Sequence, residues 1–459
     1  MISHPAKQSK LVKKKLNPFI YCSLLFFLAL FLRLFYGYFV LANFAKLTLQ
    51  EQNSFEIGYY TSDSPGYLEP ARNLLEGNFV GAVSLARPIG YPVLLAIAGL
   101  DATVIIIIQA LLLSVIPICT FLIVLLCTGN SPAGFAAGLI SCISPTGVAL
   151  GALIMSDALF SVLFSMLFIA LAYGANRGSL QLIFFSAFLS GIAILVKPVL
   201  IFWPGVSIVI YYLFIRGERG LGTAVGGLYK YKKYWKEPLI LFLVPLSICI
   251  TWAGVNYSYN GFFTVSTIGS DTIRIYLATK VEAWENTGKR PSGKFIGAKQ
   301  KILRDRLAKL PNGERQQIVY EETLAIIKKY PARTIKVLLE NAIGNYLRGW
   351  NLFRYQLSLS QEKLGRFFRF VYRVESMIKK VVLLPFLFAP LIAFAVSKVR
   401  HIQNTQQLVK FLYAMFLSFF YFFVLSGITF WTGPRILYPT ETLIISVLAI
   451  ICHLFAKRA

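Results

Sequence analysis

The run PFIYCSLLFFLALFLRLFYGYFVLA, Pro18 to Ala42, is long and apolar enough to cross a lipid bilayer as one helix. It is not alone. A hydropathy window finds about ten such runs, at 18–42, 103–127, 132–150, 153–173, 180–196, 199–215, 238–256, 379–397, 409–430 and 436–455. The fold expected is an all-α polytopic membrane protein of about ten transmembrane helices, with outer-side juxtamembrane helices and a long outer segment. Composition agrees: 56% of the 459 residues are hydrophobic and 14% charged, and mean hydropathy is +0.64. A soluble domain is about half apolar and about a quarter charged.

The net charge of +26 would point to nucleic acid in a soluble chain. Here no nucleic-acid motif accompanies it. Basic residues that flank spans, set topology and meet anionic headgroups explain it better, so membrane lipids are expected partners and nucleic acid is not. All six cysteines (Cys22, Cys119, Cys127, Cys142, Cys249, Cys452) fall inside apolar runs, where they read as small hydrophobes rather than a disulfide framework. The first run follows KQSKLVKKK and precedes no A-x-A site, the pattern of an uncleaved anchor.

Short loops rich in lysine and arginine stay in the cytoplasm. The N-terminal tail (Lys7, Lys10, Lys13 to Lys15), the 216–236 loop, the 398–407 loop and the C-terminal tail (Lys457, Arg458) share one side on the ten-span count. Both termini are then cytoplasmic. The outer side receives 43–102 and 257–378, the latter with amphipathic stretches such as TIKVLLENAIGNYLRGW, Thr334 to Trp350. Three regions follow: 1–256 with its outer loop 43–102, the outer segment 257–378, and C-terminal spans in 379–459.

That topology gathers Asp63, Arg87, Asp157, Lys197 and Arg435 at outer loops or outer span ends. Charges near membrane depth are costly and usually functional. Each acid, and Arg87, has a plainer reading: a turn acid at Asp63, a snorkelling cation at Arg87, a capping acid at Asp157. Ser64 is expected to cap a helix opening at Pro65, with Tyr67, Ala71 and Leu74 on one face. The three histidines, His4, His401 and His453, fall at the cytoplasmic side. Any outer proton abstraction must therefore use a carboxylate, and a histidine zinc site is disfavoured.

DSPGYLEPARNLLEGN, RPIGYPVLLAIAG, MSDALF, GIAILVKPVLIFWP, NYSYNGFFTVSTIGSD and GPRILYPTE occur in that order across residues 63 to 441. In them the chain resembles the glycosyltransferase C superfamily, in particular bacterial relatives of protein O-mannosyltransferases and lipid A aminoarabinose transferases. The resemblance implies a polyprenyl-phosphate-sugar-dependent transferase of hexose or pentose, with inversion at the anomeric carbon. The acceptor would be a lipid, glycan or protein, and the site would face outward from the plasma (bacterial inner) membrane. Asp63 matches the first-loop acid with the general-base role, and Asp157 a second outer acid of varying role. Arg87, Lys197 and Arg435 match basic positions near the donor phosphate. Tyr67, Tyr91 and Tyr438, in the same stretches, are the expected substrate contacts. Where many members have Asp-Glu in the first loop, this chain has Asp63-Ser64. No cofactor is expected; a divalent ion between the two acids is the alternative. A flippase or transporter of lipid-linked sugars would also want a basic outward cavity, and a polysaccharide polymerase or ligase would use the same carriers.

Overall fold

The computed structural model describes residues 17–45, 58–216, 235–347, 405–429 and 435–456, with a few single positions between 370 and 391. No strand occurs among the described residues. The helices, in chain order, are α1 (Pro18–Phe44), α2 (Pro65–Leu75), α3 (Phe79–Ala82), α4 (Gly90–Ile97), α5 (Ala102–Leu113), α6 (Val115–Thr128), α7 (Ser131–Cys142), α8 (Pro145–Gly151), α9 (Asp157–Arg177) and α10 (Leu180–Val196). Then come α11 (Trp203–Arg216), α12 (Lys236–Asn260), α13 (Ile268–Thr272), α14 (Thr279–Thr287), α15 (Gly293–Leu307), α16 (Asn312–Lys329), α17 (Pro331–Leu347), α18 (Thr405–Ser426) and α19 (Glu441–Ala456).

Five described helical stretches are long and apolar enough to cross a membrane: α1, α5 continuing into α6, α9, α12 and α18. The pair α7 and α8, bent by 54°, makes a sixth, and α10, α11 and Tyr438–Leu454 are shorter apolar helices. Of the expected span 379–397 only Leu391 is described, and His4, His401, Trp350 and most of the basic loops that set the topology lie outside the described residues. One expected span begins late. The run 153–173 is helical only from Asp157, because Ala152 to Ser156 form a buried irregular stretch.

Local chemistry sets the helix ends. Asn17, Asp101, Asn130, Ser144 and Ser179 each accept a backbone N–H of the first turn they precede, and Pro18 and Pro145 fill first-turn positions that need no donor. Ser64 departs from this pattern. Its hydroxyl makes no capping bond to α2; it accepts from Thr61 N at 2.8 Å and donates to Ile154 O at 2.9 Å. The serine ties the loop between α1 and α2 to the stretch before α9 instead.

α9 is the most enclosed of the long spans. It packs on α5, α6, α10 and α11, and its Phe164 meets Trp203 and Phe422 edge-on, with centroids 5.0 and 4.8 Å away. The helices after α12 have their own small cores, one of Ile275, Leu303, Leu307 and Val319, another of Leu277, Val281, Trp284 and Val337. They return to the bundle through α17, whose Asn341 and Asn345 donate to Gly427 O and Ser426 O at the end of α18.

α4 lies close enough to α10 that a β-carbon on Gly90 would stand 2.8 Å from Leu195 O. Backbone cannot yield there as a side-chain tip can. Gly90→Ala is expected to force α4 away at a cost of about 1–3 kcal/mol and to lower the thermal midpoint in detergent. Gly254→Ala, on α12 with nothing within 4 Å, should leave it unchanged or higher. Equal midpoints for the two variants would contradict this packing.

Candidate active site

Each acid of the site stands at a helix start and each base in a segment fixed by proline or by neighbouring backbone. Asp63 sits in the turn before α2, and Asp157 is the first residue of α9. Lys197 ends α10 just before Pro198. Arg87 lies in the loop before α4, which the segment leading into α13 holds in place: Thr267 N and Ser266 Oγ donate to Leu85 O and Ala86 O at 2.8 and 2.7 Å. Arg435 precedes the short turn Tyr438–Thr440 that opens α19.

These five side chains, up to 372 positions apart in sequence, meet in one network. Asp63 presents one carboxylate oxygen to each of two arginines. Arg87 Nη2 donates to Oδ1 at 2.7 Å and Arg435 Nη2 to Oδ2 at 2.5 Å. Lys197 Nζ donates to Asp157 Oδ1 at 2.5 Å. Arg435 joins the two halves, since its Nε lies 3.8 Å from Asp157 Oδ1. The pairs differ in exposure. The side chains of Asp63, Arg87 and Arg435 are about one-fifth exposed, whereas that of Asp157 is 3% exposed. Two acids face three bases, so the cluster is net positive.

Burial alone would push the Asp63 carboxyl up; the guanidiniums of Arg435 and Arg87 outweigh it and hold the group well below the usual carboxylate range. The Arg435 Nε is buried and has no hydrogen-bond partner, which leaves a donor of the central cation unused.

The three tyrosines expected to touch substrate have different surroundings. Tyr67 is buried, its hydroxyl between Ser156 Oγ at 2.8 Å and Arg87 Nη1 at 3.0 Å, with the Arg87 guanidinium 4.8 Å from its ring centre. Its surroundings make it a brace for Arg87. Tyr91 has no exposed surface and donates to Gln109 Oε1 at 2.9 Å. Tyr438 is also buried, three residues past Arg435. Among titrating groups, His453 lies near the far end of α19, 3.3 Å from Asn130 Nδ2.

Sequence reading passed over Gln109 and Ser156, which support the site, and Arg33. Arg33 is fully buried in α1, donates to Ala29 O, and has no hydrogen-bond partner for Nε or Nη2. A polar residue alone inside an apolar run was the available signal for Gln109 and Arg33; Ser156 had none.

Residues 92–229 match the family model for dolichyl-phosphate-mannose-protein mannosyltransferase. The matched range holds Asp157 and Lys197; Asp63, Arg87 and Arg435 lie outside it. No curated protein and no solved structure matches the chain. The family match bears out the resemblance to the glycosyltransferase C superfamily, and together with the apolar helices it supports a membrane glycosyltransferase of that type.

Proposed function

We propose that the chain moves a hexose or pentose from a polyprenyl-phosphate carrier to a hydroxyl of a lipid, glycan or protein acceptor at the outer face of the plasma (bacterial inner) membrane, with inversion at the anomeric carbon. The observation that carries this reading is the double clamp on Asp63, one oxygen on Arg87 and the other on Arg435, with Asp157 within ion-pair range of the same Arg435 and itself bonded to Lys197. A carboxylate for the incoming proton and cations for a leaving phosphate stand in one place. The lipid-linked donor named in the matching family's description supports the choice of carrier. The lysine and arginine bias of the tail and loop sequences supports cytoplasmic termini and an outward site.

The acceptor oxygen attacks the anomeric carbon from the face opposite the phosphate. Its proton passes to Asp63 as the bond from carbon to phosphate oxygen breaks. The polyprenyl phosphate leaves with that electron pair, its charge met by Arg435, Arg87 and Lys197. Preorganised charge of this kind is typically worth about 10²–10³-fold, and a positioned base about 10²–10⁴-fold.

In the free enzyme the two arginines make Asp63 a weak base, since a general base works best with its pKa near the operating pH. The donor removes this obstacle. Its phosphodiester is an anion and competes for the guanidiniums that hold Asp63. Losing those ion pairs while staying mostly buried raises the proton affinity of the carboxylate. The base is thus strengthened only with donor in place. Because each carboxylate already faces a cation, a divalent ion would have to displace lysine or arginine to bind, which supports a metal-independent reaction.

Purified protein is expected to consume at least one member of a panel of undecaprenyl-phosphate pentoses and hexoses when membrane acceptors are present, read by mass spectrometry, and to do so equally in EDTA. Asp63→Asn should insert and fold but lose about 10²–10⁴ in rate. A well-folded Asp63→Asn variant that turns over at the wild-type rate sinks the base assignment.

The pH dependence follows from the sign of the shift. Because the Asp63 pKa is lowered, the carboxylate stays ionised well below neutrality, and kcat/KM, which reports the free enzyme, should remain flat down to about pH 5. Arg435→Gln removes one of the two cations and should move the acid limb up by about 1–3 units. A limb that Arg435→Gln leaves in place would show that Asp63 is not the titrating group.

A further inference from the structure

The stretch Gly151–Ser156 is buried along its whole length, and from Ala152 it is non-helical until α9 begins at Asp157. Irregular backbone at membrane depth persists only where protein satisfies its polar groups. Gln109, on α5 and 0% exposed, satisfies two of the stretch's carbonyls. Its Nε2 donates to Leu153 O at 2.9 Å and to Gly151 O at 3.3 Å, and its Oε1 accepts from Tyr91 at 2.9 Å. Local turns pair Ala152 N, Leu153 N and Met155 N with Ala149 O, Leu150 O and Leu153 O, and residues 59–67 add three more contacts: Ser64 Oγ donates to Ile154 O, Ile154 N donates to Tyr59 O, and Tyr67 meets Ser156.

A glutamine in ATVIIIIQALLL is a poor choice for packing alone. An apolar side chain would fill the site without the cost of burying an amide. Both polar atoms of the Gln109 side chain are nonetheless used, and each use points at the segments that carry the ionic cluster. Tyr91 lies four residues past Arg87 on α4. The Gly151–Ser156 stretch ends at Asp157. Gln109 acts on the five charged groups only through these neighbours.

We infer that Gln109 is a positioning residue for the transfer reaction, fixing the buried stretch that presents Asp157 to Lys197 and Arg435 and locking α4 to it through Tyr91. The inference rests on the reading of the Asp63–Asp157 cluster as the active site. Small displacements of a catalytic constellation cost about 10²-fold in rate, so Gln109→Leu should lower kcat by about that factor with the acceptor KM within about twofold. Tyr91→Phe, which removes only the hydroxyl, should show a smaller loss of the same kind.

The deciding experiment is a double-mutant cycle with Asp157→Asn, measured on the undecaprenyl-phosphate sugar that the wild-type enzyme consumes. Residues that act as a unit are strongly non-additive. When Asp157→Asn is already present, adding Gln109→Leu should therefore cost less than about threefold more. If Gln109→Leu fails to fold, Tyr91→Phe carries the same cycle. Additive losses, or a Gln109→Leu and a Tyr91→Phe enzyme both at the wild-type rate, overturn the inference and leave the site reading intact. An Asp157→Asn enzyme at the wild-type rate removes Asp157 from the reaction and overturns the inference, whereas a failure of the site reading shows at Asp63→Asn.

Discussion

Arg435 is the hinge of the electrostatics. It stands between two carboxylates, bonded to Asp63 and within ion-pair range of Asp157, and without it each acid would keep one cation, Arg87 or Lys197. Charges this enclosed are tolerable only when paired. The pairing therefore dictates that α2, α4, α9, α10 and the turn before α19 converge at one end of the bundle. The packing obeys that demand: Gly90 lets α4 approach Leu195, and α9 sits at the centre of the helices that carry its partners.

On the proposed function, the same pairing lets opposed requirements coexist. A cationic site for a leaving phosphate would, left alone, hold anions from solution or repel its own cations. Two internal carboxylates hold the three cations, leaving the cluster net positive and able to take an anionic guest. The guest then frees the carboxylate that the chemistry needs. On the proposed reading, binding of a lipid-linked donor and activation of the base are one event.

Much of this was legible in the sequence, and the reasons are physical. Membrane helices announce themselves through length and hydropathy, so α1, α9, α10 and α12 fall close to where the apolar runs place them. A charge at a span end is costly enough to stand out, so Asp63, Arg87, Asp157, Lys197 and Arg435 were visible one at a time. Their pairing was not, because which of three cations meets which of two acids depends on helix packing. Ser64 looked like a helix cap because residue type and a following proline carry that signal, and its longer-range bond to Ile154 leaves none. Tyr91 looked like a substrate contact because it lies beside Arg87, and only the fold reveals that its hydroxyl turns inward to Gln109.

On the proposed mechanism, donor phosphate takes the guanidiniums from Asp63. The most direct test is a structure of the protein in lipid nanodiscs with undecaprenyl phosphate bound. The phosphate is expected within hydrogen-bond distance of Arg435 and Arg87, with at least one of the two Asp63 ion pairs broken and the freed oxygen facing the open side of the site. A phosphate bound away from both arginines, with Asp63 still held on both oxygens, would contradict it.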